Sequence, residues 1–232
     1  MASNPLSGGR RSILIAAAAT VAFLALAAGA FAVGLTGTSG PPQPSETGAT
    51  RSASTATPPG RPSPASPEAT AAGEGSAVGA FMAASEPVSL DIPSIGVHSH
   101  RIVGLHIGAD GTLQAPRSFD QVGWYTGGPT PGQLGPAVIG GHVDSKSGPA
   151  VFYRLGALRP GAVVKVTRRD GTVAAFVIDS VARFAKAAFP SQQVYGNSTN
   201  RAEIRLITCG GAFDHATGHY ADNIVAFGHL AA

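Results

Sequence analysis

Between Thr36 and Gly79 the chain contains no Phe, Tyr, Trp, Leu or Ile, and this gap decides where a core can form. Pro41, Pro42, Pro44, Pro58, Pro59, Pro62, Pro64 and Pro67 punctuate the stretch, among Ser, Thr and Ala. Fixing each residue costs roughly 1–2 kcal/mol of backbone entropy. A segment this poor in apolar side chains cannot offset that cost, so it reads as an extended, disordered spacer. The sequence therefore divides into a short N-terminus (1–11), an apolar segment (12–35), a spacer (36–84) and a globular region (85–232).

Arg10 and Arg11 precede the uncharged run Ile13 to Leu35. At about 1.5 Å per residue such a helix spans the roughly 30 Å of a hydrocarbon core. The basic pair in front orients the N-terminus toward the cytoplasm and the remainder outside, a single-pass arrangement with the globular region extracellular. Ala28-Gly29-Ala30 also resembles a signal-peptidase site, and Arg10-Arg11-Ser12-Ile13-Leu14 resembles a twin-arginine export signal. The run is longer than the roughly 7–15 residues of a cleaved signal core, which favours an uncleaved anchor. All three readings export the globular region.

That region holds all seven histidines, the only Cys and the only Trp. Its charge is mild, twelve Lys/Arg against ten Asp/Glu, with no basic stripe or aromatic platform, so a nucleic-acid partner is not expected. Short apolar runs alternate with turn signals: Val88 to Ile92, Ala137 to Ile139, Ala162 to Arg168, Thr172 to Val181, Ile204 to Thr208 and Asn223 to Phe227. Gly108 to Gly111 reads as a turn, and Asp170-Gly171 is a strong hairpin signal. One short helix is predicted at Val151 to Leu158, where Phe152, Leu155 and Leu158 share a face. The pattern is all-β, an antiparallel or mixed barrel.

Two of these runs end alike, in a reactive side chain beside glycines: Gly140-Gly141-His142 and Thr208-Cys209-Gly210-Gly211. A lone thiol has no internal disulfide partner. Free cysteine is most often a small buried core residue, and a strand-end histidine is most often a surface hydrogen-bonder. If the two strand ends are neighbours, however, imidazole faces thiol. A free thiol is only a few per cent thiolate at neutral pH, and a positioned His raises that fraction. The same His can protonate a leaving amine and deprotonate an incoming one. Asp144 is placed either to orient that ring or to form the turn that follows it. His98, His100 and His106 lack the ligand pattern of a zinc site, and neither metal nor cofactor is expected. His215, His219 and His229 read as loop or surface residues.

The segments Gly140-Gly141-His142-Val-Asp144 and Leu206-Ile207-Thr208-Cys209 resemble the signature segments of sortases, the cysteine transpeptidases of Gram-positive cell surfaces. Leu90-Asp-Ile-Pro93-Ser-Ile-Gly96-Val resembles the first sortase strands. Val122-Gly-Trp124-Tyr125, Gly135-Pro136, Cys209-Gly-Gly-Ala-Phe213-Asp214 and Gly218-His-Tyr220-Ala-Asp222-Asn223 resemble the actinobacterial class F subgroup. The resemblance implies an eight-stranded barrel with short helices. It also implies cleavage of a Leu-Pro-x-Thr-Gly-like sorting peptide through an acyl-thioester on Cys209, and transfer to a cell-wall precursor or pilin amine. His142 is then the acid and base, with Ile207, Asn223 and Asp144 expected at the peptide. The family's arginine, on the strand after the cysteine, has no counterpart: no Arg or Lys follows Cys209, and its place falls near Asn223. Either Asn223 donates a hydrogen bond itself or a cation comes from elsewhere. Arg205 is the candidate, since strand alternation puts Arg205, Ile207 and Cys209 on one face.

Two other readings compete. An L,D-transpeptidase places a His-Gly motif beside its cysteine, whereas Cys209 stands between Thr208 and Gly210. A non-catalytic surface binding module on a stalk would tolerate the missing arginine.

Overall fold

The computed structural model describes residues 40–45, 78–109, 111–196 and 200–232. The apolar run Ile13 to Leu35 and most of the spacer lie outside them. Among the described residues no helix is long and apolar enough to cross a membrane.

Eleven strands follow in chain order: β1 (Pro87–Ile92), β2 (Val97–Ser99), β3 (Ile102–Leu105), β4 (Val122–Tyr125), β5 (Gly135–Gly141), β6 (Asp144–Ser145), β7 (Gly148–Pro149), β8 (Val163–Arg168), β9 (Val173–Ala185), β10 (Ala202–Asp214) and β11 (His219–Leu230). Nine of them form one mixed sheet in the order β2-β1-β8-β9-β11-β10-β5-β4-β3. The sheet curls until β3 approaches β1, giving a nearly closed barrel. That is one strand more than the eight expected. The hairpin at Asp170-Gly171 joins β8 to β9 in antiparallel register.

Alternation along the central strands explains why they read as nearly continuous apolar runs. Ile139, Ile204, Leu206, Ile224 and Ala226 point into the barrel, where they meet Phe152, Leu155, Leu158, Phe176 and Ile178. Val138, Ile207, Val225 and Phe227 point out, yet they are also buried. A second apolar layer covers them, formed by Phe184, Phe189, Tyr195, Tyr125 and Leu113. The short helix α1 (Ser191–Tyr195) and the bend before it supply two of those five side chains, Tyr195 and Phe189, and Phe184 comes from β9 beside them.

The predicted helix at Val151 to Leu158 does not form. The chain there makes turns and a single 3-10 turn, Leu155–Ala157. The amides of Ala150, Val151 and Phe152 donate instead to the carbonyls of Val143, Phe119 and His142. These bonds fix an irregular path that still buries Phe152, Leu155 and Leu158 completely or nearly so. Gly141 is required beside it, because a Cβ there would lie 2.8 Å from the Phe152 ring. Replacing Phe152 by Ala should therefore cost about 3–5 kcal/mol, read as a lowered midpoint in denaturant. The exposed Phe213→Ala should stay within about 0.5 kcal/mol.

Candidate active site

The site is built on the parallel pairing of β5 with β10. Ile204 lies opposite Ala137, Leu206 opposite Ile139, and Ile207 opposite Gly140. Continuing this register by two residues sets Cys209 beside His142 on the same face, just past the end of β5 and five residues before the end of β10 at Asp214. A cross-link from Thr208 fixes the step between them: its Oγ1 donates to the Gly141 carbonyl at 2.8 Å. On the other side β11 runs antiparallel to β10, with Asn223 directly opposite Cys209. Phe184 of β9 then lies opposite Asn223. Thiol, imidazole and amide thus share one edge of the sheet.

All three line a cleft of about 660 Å³. Ile207 forms its floor, and the Gly111–Ala115 segment forms one wall. Cys209 is half-buried and free, so its sulfur is neither sealed in the core nor cross-linked. The side-chain amide of Asn223 makes no hydrogen bond to any described residue and is free to donate into the cleft.

His142 is held from the side away from β10. Its Nε2 lies 2.7 Å from the Pro116 carbonyl oxygen, and the Phe119 ring lies 4.6 Å from its ring centre. A carbonyl only accepts, so Nε2 carries a hydrogen. Nδ1 is then the nitrogen left without that hydrogen and able to accept one. The sequence reading assigned neither Pro116 nor Phe119, because a carbonyl contact across 26 positions leaves no trace in residue type.

Asp144 does not touch the ring. Its Oδ2 accepts a hydrogen bond from the Tyr220 hydroxyl, which ties the turn after His142 to the hairpin after Cys209. Burial, then the Asp144 carboxylate, raises the Tyr220 phenol above the usual tyrosine range.

Arg205 shares a face with Ile207 and Cys209, but it does not reach the cleft. It sits four residues back along β10, about 13 Å away. Its Nη2 donates to Glu203 Oε2 at 2.6 Å, and its guanidinium carbon lies 4.8 Å from the Phe227 ring centre. Its Nη1 donates to the Ile204 carbonyl. The guanidinium is thus spent on a buried ion pair. Among the cleft residues that the sequence reading did not assign are the basic side chains Lys186 and His219. His219, expected as a loop or surface residue, is exposed at the start of β11 and borders the cleft. Lys186 follows directly on β9, which runs to Ala185, beyond the expected Val181. A full count of that strand's length would have carried Lys186 to the cleft.

A family model described as a sortase domain matches residues 90–231. The chain belongs to the sortase family. Among solved structures it is similar to sortase A from Corynebacterium diphtheriae, at 19% identity over 65% of this chain and 63% of that one, with a TM-score of 0.48. It is also similar to the sortase C2 of Group B Streptococcus pilus island 1, at 19% identity, 63% and 75% coverage and a TM-score of 0.49. Sortase C-1 from Streptococcus pneumoniae matches at 20% identity, 62% and 66% coverage and a TM-score of 0.49. No curated protein matches. The chain spans a little under two thirds of the C. diphtheriae sortase A chain.

Two predictions follow from this geometry. Arg205→Ala strands the buried Glu203 with Arg201 as its remaining partner, so thermal unfolding should show a loss of about 3 kcal/mol. The folded fraction should retain its rate of Cys209 acylation. A tenfold slower acylation at unchanged stability would return Arg205 to the chemistry. Tyr220→Phe should cost about 1 kcal/mol. The Tyr220 shift is upward, so its contribution is complete below the usual tyrosine value near pH 10 and is lost only above it. The stability gap between wild type and Tyr220→Phe should therefore be flat from about pH 6 to 9. A gap that closes within that window would contradict the assignment.

Proposed function

We propose that this protein is a class F sortase, a membrane-anchored cysteine transpeptidase that acts on Leu-Pro-x-Thr-Gly-like sorting peptides. One observation carries the reading: the register of β5, β10 and β11 sets His142, Cys209 and Asn223 side by side in one cleft. The sortase-domain match supports the reaction class, and the segments following Cys209 support the subgroup.

The geometry suits the following steps. The Cys209 thiolate attacks the scissile carbonyl, and the carbonyl π electrons move to oxygen. The Asn223 amide donates to that oxyanion, and the Lys186 ammonium adds positive charge to the same cleft. Collapse of the intermediate expels the amine, which takes its proton from His142 Nδ1. This leaves an acyl-thioester on Cys209 and neutral imidazole. A cell-wall or pilin amine then attacks the thioester, His142 Nδ1 accepts its proton, and the thiolate departs as the new amide forms. Water in place of the amine gives slow hydrolysis.

The N-terminal apolar run, with Arg10 and Arg11 before it, supports a single-pass anchor with the catalytic domain outside. Such a placement brings the cleft to exported substrates and to wall amines.

Mass spectrometry of the protein with a panel of Leu-Pro-x-Thr-Gly-like peptides tests the proposal. An acyl adduct on Cys209 is expected, lost in Cys209→Ala and strongly reduced in His142→Ala. Asn223→Ala should slow acylation by about 10²–10³-fold. Absence of any adduct across the panel, with a folded protein and a free thiol, would overturn the reading in favour of a binding module.

A further inference from the structure

Residues Gly40–Ser45 belong to the stretch 36–84 that composition reads as spacer, yet the structure sets them against the catalytic domain. Pro41 is buried. The Pro42 carbonyl lies so close over Gly156 that a Cβ on that glycine would come within 2.1 Å of its oxygen. Gln43 Nε2 donates to the Pro41 carbonyl at 2.9 Å, which aims the other end of the amide. Gln43 Oε1 accepts from the Gly211 backbone amide at 3.1 Å. A Gly-Pro-Pro-Gln-Pro segment loses little entropy on docking, because proline has already fixed its backbone.

The docking point is a weak place in the fold. β10 and β11 pair regularly through Gly210–Asp222, then resume at Phe213–Tyr220. Gly211 and Ala212 therefore oppose a single residue, as in a bulge whose first residue is a left-handed glycine. Gly211 has φ +76°, and a Cβ there would strike the Asp222 carboxylate at 2.2 Å. A bulge leaves a strand amide without a ladder partner. Here Gln43 supplies the acceptor, two residues from the nucleophilic sulfur.

We infer that residues 40–45 form a strap that holds the Gly210–Gly211 bulge and so fixes the pose in which Cys209 meets His142. Gln43 is a positioning residue in this account. The inference rests on Cys209 as the reactive group, but it does not require any particular peptide substrate. A protein that begins where the sortase-domain match begins, at Leu90, would lack the strap altogether.

The test uses the full chain in detergent micelles and two readouts independent of sorting peptides. One is hydrogen exchange at the Gly211 amide. The other is the rate of alkylation of Cys209 by iodoacetamide at neutral pH, unambiguous because the chain has one cysteine. Gln43→Ala should speed Gly211 exchange by about tenfold or more and slow alkylation by about fivefold. Gly156→Ala, which pushes on the Pro42 carbonyl from elsewhere, should do the same. Gln43→Glu keeps the acceptor oxygen but loses the donor to the Pro41 carbonyl, so it should recover both values in part, above Gln43→Ala. In a His142→Ala background the alkylation difference should vanish. Unchanged exchange in both variants would overturn the docking. Faster exchange with unchanged alkylation would overturn the positioning role, and failure of Gln43→Glu to recover either value even in part would overturn the acceptor assignment. An active strap in a protein that forms no acyl adduct would sink the proposed function and leave this inference standing.

Discussion

The parallel ladder between β5 and β10 governs everything this protein can do chemically. These strands are remote in sequence, and parallel pairing requires a long crossover. Here the crossover carries the β8–β9 hairpin and helix α1. Once the ladder forms, its register admits only one arrangement at the strand ends, because a slip by one residue would turn every side chain to the opposite face. Burial on both faces enforces that register. Ile204 and Leu206 fill the barrel while Ile207 fills the cleft floor, so a slipped β10 would drive Arg205 into the barrel interior.

The same ladder explains the division of labour along β10. Its first half is structural: Glu203 and Arg205 form a buried pair under Phe227. Midway along it, Thr208 bonds across to the Gly141 carbonyl and Cys209 opens to the cleft. Beyond them, three separate contacts restrain the chain around the sulfur. Tyr220 is bound to Asp144, Arg183 lies beside Asp222, and Gln43 is bound to Gly211. Cys209 lies where β5 has ended and just before the β10 bulge, so its pose depends on such restraints.

Much of the fold was legible because strand alternation and turn residues are local signals. The six runs read as strands all fall on strands, and Asp170-Gly171 marks the hairpin. The helix at Val151 to Leu158 was misread because its apolar spacing fits a helix, whereas amide bonds to distant carbonyls dictate the path. At the site, Cys209 and His142 were singled out by their adjacent glycines, although β10 does not stop at Gly210-Gly211 as expected but continues through a bulge to Asp214. Asn223 followed from the family resemblance, as the position near which the sortase arginine falls. Arg205 was visible as sharing the face of Cys209, but alternation gives the face and not the direction along it, and Glu203 pulls the guanidinium away. Pro116 and Gln43 were hidden for one reason: each reaches the site through tertiary contact. Proline-rich composition argues against a core between Thr36 and Gly79, but composition has no view of a six-residue segment finding a bulge that lacks an acceptor.

The claim that matters most is the proximity of positions 142 and 209. Neighbouring strands place paired Cα atoms about 5 Å apart, within the range a disulfide can bridge. The His142→Cys variant has only one other cysteine with which to react, Cys209. On mild oxidation at low protein concentration it should convert to an intramolecular disulfide, seen as a loss of about 2 Da and of both free thiols. Two thiols that persist, or that pair only between molecules, would contradict the register on which this account stands.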